Sequence, residues 1–223
     1  SGLGGSARNA AQIRDALAAM PAAPPEEKLV FLGYSKGATD ALEAMVRHPE
    51  LADRTAAVVS LAGVVSGTPI ADDASELIKG LMDRVLAGSR CPPGEGRAIE
   101  SLSRRERLAW LAANRLPDRV RYYSLAAFAD RENISRILHS SYDTLALVDP
   151  RNDSQVVFHD ALVPGGSLLG YLNADHWAIA LPFTQEHPAL AETLITRNAF
   201  PREVLLESIA RFVEESLLDE SNR

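Results

Sequence analysis

The stretch KLVFLGYSKGATDALEAM, residues 28–45, constrains the fold more than any other part of the sequence. An apolar run of strand length leads straight into Gly33-Tyr34-Ser35-Lys36-Gly37, and a helical pattern begins at once. Such a corner brings strand and helix close together. Glycines beside the serine avoid a collision of Cβ atoms, and the serine at the apex is forced into a strained backbone conformation. Its hydroxyl then projects from the carboxyl end of a parallel sheet, where open α/β folds receive ligands. The N–H of Lys36, at the helix start, would point at a developing oxyanion. Tyr34, next to the serine, is expected to contact substrate. The plainer reading makes Ser35 a helix cap. The G-x-S-x-G spacing between a strand and a helix favours a nucleophile.

The rest of the chain alternates helical and strand periods, as an α/β protein with a mostly parallel sheet does. ARNAAQIRDALAAM (7–20) carries Ile13, Leu17 and Met20 at helical spacing. RTAAVVSLAG (54–63) and RVRYYSLAAF (119–128) read as the second and third strands, with a helical stretch near 133–147 after the third. The fourth is QVVFHDALV or, with better pattern, SLLGYLNA (167–174). In PREVLLESIARFVEESLL (201–218), Pro201 suits a first helical turn, and Leu205, Ile209, Phe212 and Val213 form one apolar stripe. No repeat or linker divides the chain, so residues 1–223 are expected to form one domain.

Composition narrows the function. The formal net charge of −7, with no block of clustered Lys and Arg, argues against nucleic acid as the partner. No apolar run reaches the length of a membrane span. The single cysteine, Cys91, lies in the loop-forming SRCPPGEG; it has no partner for an internal disulfide and no strongly basic neighbourhood to activate it. No paired Cys/His spacing or H-E-x-x-H pattern suggests a metal, and a serine nucleophile requires no cofactor.

A serine nucleophile needs a base, and five histidines compete. His48 ends the elbow helix, His139 lies in a helical stretch, His159 sits in an apolar run and His187 precedes a proline. His176, in LGYLNADHWAIALPF, follows the best candidate for the last strand, where a loop can bend the imidazole back over Ser35. For the carboxylate that orients the base, Asp130 follows the third strand and Asp153 lies in the polar turn DPRNDSQVV. Asp149, before Pro150, reads as turn chemistry.

The runs LVFLGYSKGATDAL, SLAGVVSGTPIAD, RVRYYSLAAF, NDSQV and LNADHWAIALP together resemble the α/β-hydrolase superfamily, most of all its lipase and esterase branch. The resemblance covers most of residues 10–183. It implies Ser35 as nucleophile, Asp153 as acid and His176 as base, with a small-molecule or lipid ester as substrate. Such hydrolases commonly carry a cap between their second and third strands here, at 72–115. The amphipathic SELIKGLMDRVL within it is better read as packing on the sheet, and SLSRRERLAW as a solvated helix face.

One departure stands out. Such hydrolases place several strands, and a loop with the second oxyanion donor, ahead of the elbow, whereas no strand pattern precedes KLVFLG here. The expectation is a partial α/β-hydrolase-type fold missing its first strands. Strand 28–33 would then be an unpaired edge, covered by a preceding segment, a rearranged one or another copy. Two functions follow: hydrolysis of carboxylic esters through an acyl-serine, or a hydrolase-like domain without efficient turnover that serves binding or assembly. Acyl transfer or peptide cleavage on the same triad is a weaker third.

Overall fold

The computed structural model describes residues 4–21, 24, 27–73, 97–180 and 200–221. Strands β1 (Leu29–Tyr34), β2 (Thr55–Leu61), β3 (Arg121–Ala127) and β4 (Ser167–Leu172) form one sheet in the order β1-β2-β3-β4. Every neighbouring pair is parallel. The helices are α1 (Ser6–Ala18), α2 (Lys36–Arg47), α3 (Pro49–Asp53), α4 (Pro69–Asp73), α5 (Arg104–Ala113), α6 (His139–Ala146) and α7 (Arg202–Ser221). In a parallel sheet all the strands end at one rim, so the loops after β1, β2, β3 and β4 gather there.

The two faces of the sheet are covered separately, as alternation along strands requires. On one face Val58 and Tyr122 meet Leu42 and Met45 of α2, with Ile13 and Leu17 of α1 packed behind. Burying a Leu or Met side chain stabilises by about 1.5–3 kcal/mol, so α1 and α2 are held by this face. On the other, Ala57, Val59, Tyr123 and Leu125 meet Ile209 and Val213 of α7. Phe212 remains 41% exposed, although its ring stands edge-on to Tyr123 at 5.4 Å. Met20 lies beyond the end of α1 and is exposed, so only Ile13 and Leu17 of the expected triplet reach the core.

The final strand is the SLLGYL run; Phe158–Ala161 in the competing segment is a 3-10 turn. The helix expected over 133–147 is shorter: two 3-10 turns, Arg131–Asn133 and Arg136–Leu138, precede α6. Within the expected cap, residues 74–96 lie outside the described residues, as do Cys91 and His187. Of the rest, α5 packs Trp110 and Leu111 onto the α1–α2 side of the core. Its charged face is not simply solvated. Arg107 is buried, donates Nε–H to the Val65 carbonyl at 3.1 Å and lies 4.4 Å over the Trp110 ring. Val65 lies in the segment leaving β2, so one inward arginine ties α5 to a rim loop.

Strand β1 is an edge of the sheet, and Val30 and Leu32 on it are 46% and 39% exposed. Among the described residues nothing pairs with its outer side.

Candidate active site

At the end of β1 the chain turns as the glycine pattern demands. Ser35 has φ 53° and ψ −126°, outside the regions open to ordinary residues, and its N–H donates to the Leu61 carbonyl of the neighbouring strand at 3.1 Å. The two glycines are not equivalent. A Cβ on Gly33 would lie 2.5 Å from the Ala38 Cα and 2.6 Å from its nitrogen, so the strand can cross the helix there only as glycine. A Cβ on Gly37 would meet nothing within 4 Å, which corrects the expectation that both relieve crowding.

Lys36 opens α2, so its N–H is among those a helix leaves without an intrahelical acceptor. Its ammonium folds along the helix onto Asp40 Oδ1 at 2.6 Å, and Asp40 Oδ2 accepts from Asn9 Nδ2 at 2.7 Å. The side chain is thereby kept off the serine.

His176 lies in the loop after β4, 4% exposed. Its Nε2 is 2.7 Å from Ser35 Oγ and its Nδ1 is 2.7 Å from Asp153 Oδ2. A carboxylate accepts and does not donate, so Nδ1 carries the ring proton towards Asp153. Nε2 is then left to accept the serine O–H. Asp153 is itself fixed by its turn: Oδ1 accepts the N–H groups of Gln155 at 2.9 Å and Val156 at 2.7 Å. Beside it Ser154 adopts φ 81°, held by its N–H donating to Asn152 Oδ1 at 2.9 Å.

The remaining candidates lie elsewhere. Asp130 is exposed after β3 and its carbonyl accepts from Asn133 N. Asp149 is clamped by Arg151, which holds its carboxyl below the usual carboxylate range. His48 lies near Glu50, His139 Nε2 meets the Ile134 carbonyl at 2.9 Å, and His159 is beside Asp160. Among the described residues no three His, Cys, Asp or Glu side chains gather as metal ligands.

Two supports escaped the sequence reading. Tyr34 was expected to face substrate, yet its hydroxyl donates to the His176 carbonyl at 2.6 Å and its ring lies 5.0 Å from the imidazole. Burial first, then the nearby carboxylates of Asp153 and Asp175, push its ionisation well above that of a free tyrosine, so it remains a donor. Asp175, wholly buried, accepts from Ser135 and from Ala178 N. Nothing in the spacing of NADHW distinguishes this aspartate from a turn residue, because its main partner is 40 positions away.

A parallel sheet with helices on both faces and a serine elbow at its rim defines the α/β-hydrolase fold, and solved structures agree. The chain is similar to the metagenomic carboxyl esterase MGS0156: 52% identity, TM-score 0.88, over 96% of this chain and 63% of that one. The mature Bacillus licheniformis lipase BlEst2 matches at 21% identity and TM-score 0.57, over 84% of this chain and 75% of that one, a likeness of fold. No family model matches, and no curated protein does. The chain has an esterase/lipase-like α/β-hydrolase fold, as a partial version that spans 63% of the length of the esterase it resembles.

Proposed function

We propose that this chain carries the catalytic centre of a serine hydrolase that cleaves carboxylic esters. The observation that carries the reading is the continuous relay Ser35 Oγ–His176 Nε2, His176 Nδ1–Asp153, with both links at 2.7 Å. Ser35 attacks the ester carbonyl while His176 takes its proton, and Asp153 holds the ring and stabilises the imidazolium. The N–H of Lys36 receives charge developing on the carbonyl oxygen. His176 returns the proton to the leaving alcohol, then activates a water that releases the acid from Ser35.

The same residues would serve thioesters or amides; the likeness to a carboxyl esterase favours an oxygen ester, from a small molecule or a lipid. With its hydroxyl proton given to the His176 carbonyl, Tyr34 can offer a substrate its ring and an acceptor oxygen, not a donor. The test is reaction with a fluorophosphonate and mass spectrometry of the labelled peptide, alongside turnover of p-nitrophenyl esters. Labelling at Ser35 with turnover that Ser35→Ala abolishes is expected. Stoichiometric labelling without turnover would favour the binding or assembly role, and turnover untouched by Ser35→Ala would remove the reading.

A further inference from the structure

The loop bearing His176 is held through three separate groups, and the third has no place in the relay. The His176 N–H donates to the Asp153 carbonyl at 2.8 Å, and its carbonyl accepts from Tyr34 at 2.6 Å. The third hold is the side chain of the residue before it. Asp175 is completely buried; its Oδ2 accepts the Ser135 N–H at 2.9 Å and the Ser135 Oγ–H at 2.5 Å, while Oδ1 accepts the Ala178 N–H at 2.9 Å. Ser135, itself buried, lies between the two 3-10 turns that follow β3.

A buried carboxylate is costly to keep unless donors satisfy it, and here the donors in these bonds are neutral groups. Both oxygens are used, so an amide cannot substitute: one end of Asn would set an N–H against another N–H. The bonds made by Oδ2 and Oδ1 join the 175–178 turn to a segment from another strand connection. The first two holds fix residue 176 at its own N–H and carbonyl; this one fixes the turn on either side of it.

We propose that Asp175 is a positioning residue for the base: by pinning the His176 turn to Ser135 it keeps the imidazole within hydrogen-bond reach of Ser35. This rests on the Ser35–His176–Asp153 reading above. Proton transfer from Ser35 depends on a 2.7 Å contact. Misplacement of a reacting group by about 1 Å can cost about 10²-fold.

The experiment compares Asp175→Asn, Ser135→Ala and Ser135→Thr with the wild type. It measures kcat and KM for a p-nitrophenyl ester, the rate of fluorophosphonate labelling, and the labelled fraction at completion. For Asp175→Asn, kcat and the labelling rate should fall together by roughly 10–100-fold while KM moves less than about 3-fold and labelling still reaches completion. Ser135→Ala should give a smaller loss in the same two quantities, and Ser135→Thr, which retains the hydroxyl donor, should restore most of it. A loss confined to the fraction of protein that can be labelled means a purely structural role and overturns the proposal. So do wild-type rates in Asp175→Asn. If Asp175→Asn does not fold, the serine pair decides: a Ser135→Ala protein labelled at the wild-type rate overturns it equally. A wild type that the probe fails to label at Ser35 removes the triad reading itself, whereas a labelled wild type with unaffected variants removes only the role of Asp175.

Discussion

The elbow and the histidine loop meet at one hydrogen bond, yet they are built by opposite means. The elbow is made locally: a strand, a glycine whose Cβ would strike Ala38, and a helix that starts on the next residue after the serine. The histidine loop has no regular structure of its own and is placed by bonds to residues far away in sequence. Tyr34 is 142 positions from His176, Ser135 is 40 from Asp175 and Asp153 is 23 from His176. The proposed nucleophile is therefore set by secondary structure, whereas the proposed base depends on the finished fold.

The largest effect is expected where the two carboxylate candidates differ. Asp153→Asn leaves the turn's shape but removes the acceptor that fixes the ring tautomer, and kcat should fall about 10⁴-fold. Asp130→Asn, at an exposed site that does not touch the ring, should change kcat less than about 2-fold. Steady-state kinetics of the two variants checks both; the reverse pattern would exchange the assignments.

The next effect tests the local half. Gly33→Ala puts a methyl against backbone atoms of α2 at 2.5 Å, which no side-chain movement relieves. Strand and helix must separate, with a loss towards the upper end of the usual overpacking cost of about 1–3 kcal/mol. Denaturant unfolding of Gly33→Ala should show a lower midpoint together with lost labelling of Ser35. A folded, active Gly33→Ala would mean that the elbow is not set by close packing.

That contrast also explains what the sequence disclosed. The elbow, the first three strands and the long C-terminal helix follow from local periodicity and could be read directly, whereas periodicity alone leaves two segments competing for the fourth strand. Chain order brought His176 and a short set of acids into view, but two aspartates stayed level until a family resemblance favoured Asp153. The geometry separates them through two backbone N–H donors and one ring. Arg107 could not be read, because an arginine in a charge-rich run looks solvated until a carbonyl such as that of Val65 is found beneath it. Gly37 misled for the converse reason, since a motif glycine announces a collision that the space around it does not contain.

Tyr34→Phe probes the link between the halves, since Tyr34 ends β1 and its hydroxyl reaches the histidine loop. Loss of the donor to a buried carbonyl should cost about 1–2 kcal/mol of stability. It should lower kcat by about 3–10-fold with little change in KM, a smaller misplacement than loss of the carboxylate anchor. The stability difference has a defined pH dependence. An unfolded tyrosine ionises near 10.0 and this one ionises higher in the fold. Deprotonation is therefore easier in the unfolded chain, and the folded state loses ground as pH rises past about 10. Wild type and Tyr34→Phe should differ by a constant amount from pH 7 to about 9 and converge above that, as urea unfolding at several pH values will show. A constant gap through pH 11 would mean that the hydroxyl is not held in its neutral form.

The smallest effect completes the comparison from within the elbow itself. Gly37 occupies the second position of α2, is exposed, and has open space where a Cβ would go. Alanine is favoured over glycine in helices by up to about 1 kcal/mol, so Gly37→Ala should be neutral or stabilising by roughly 0.5 kcal/mol. The informative measurement is kcat on esters of increasing acyl size. If every ester retains its rate within about 2-fold, the methyl stands clear of the reaction path and Gly37 answers only to backbone preference. If the protein is stable but large esters are rejected while small ones react, the empty space beside Gly37 is where substrate lies. One glycine of the elbow would then serve folding and the other the ligand.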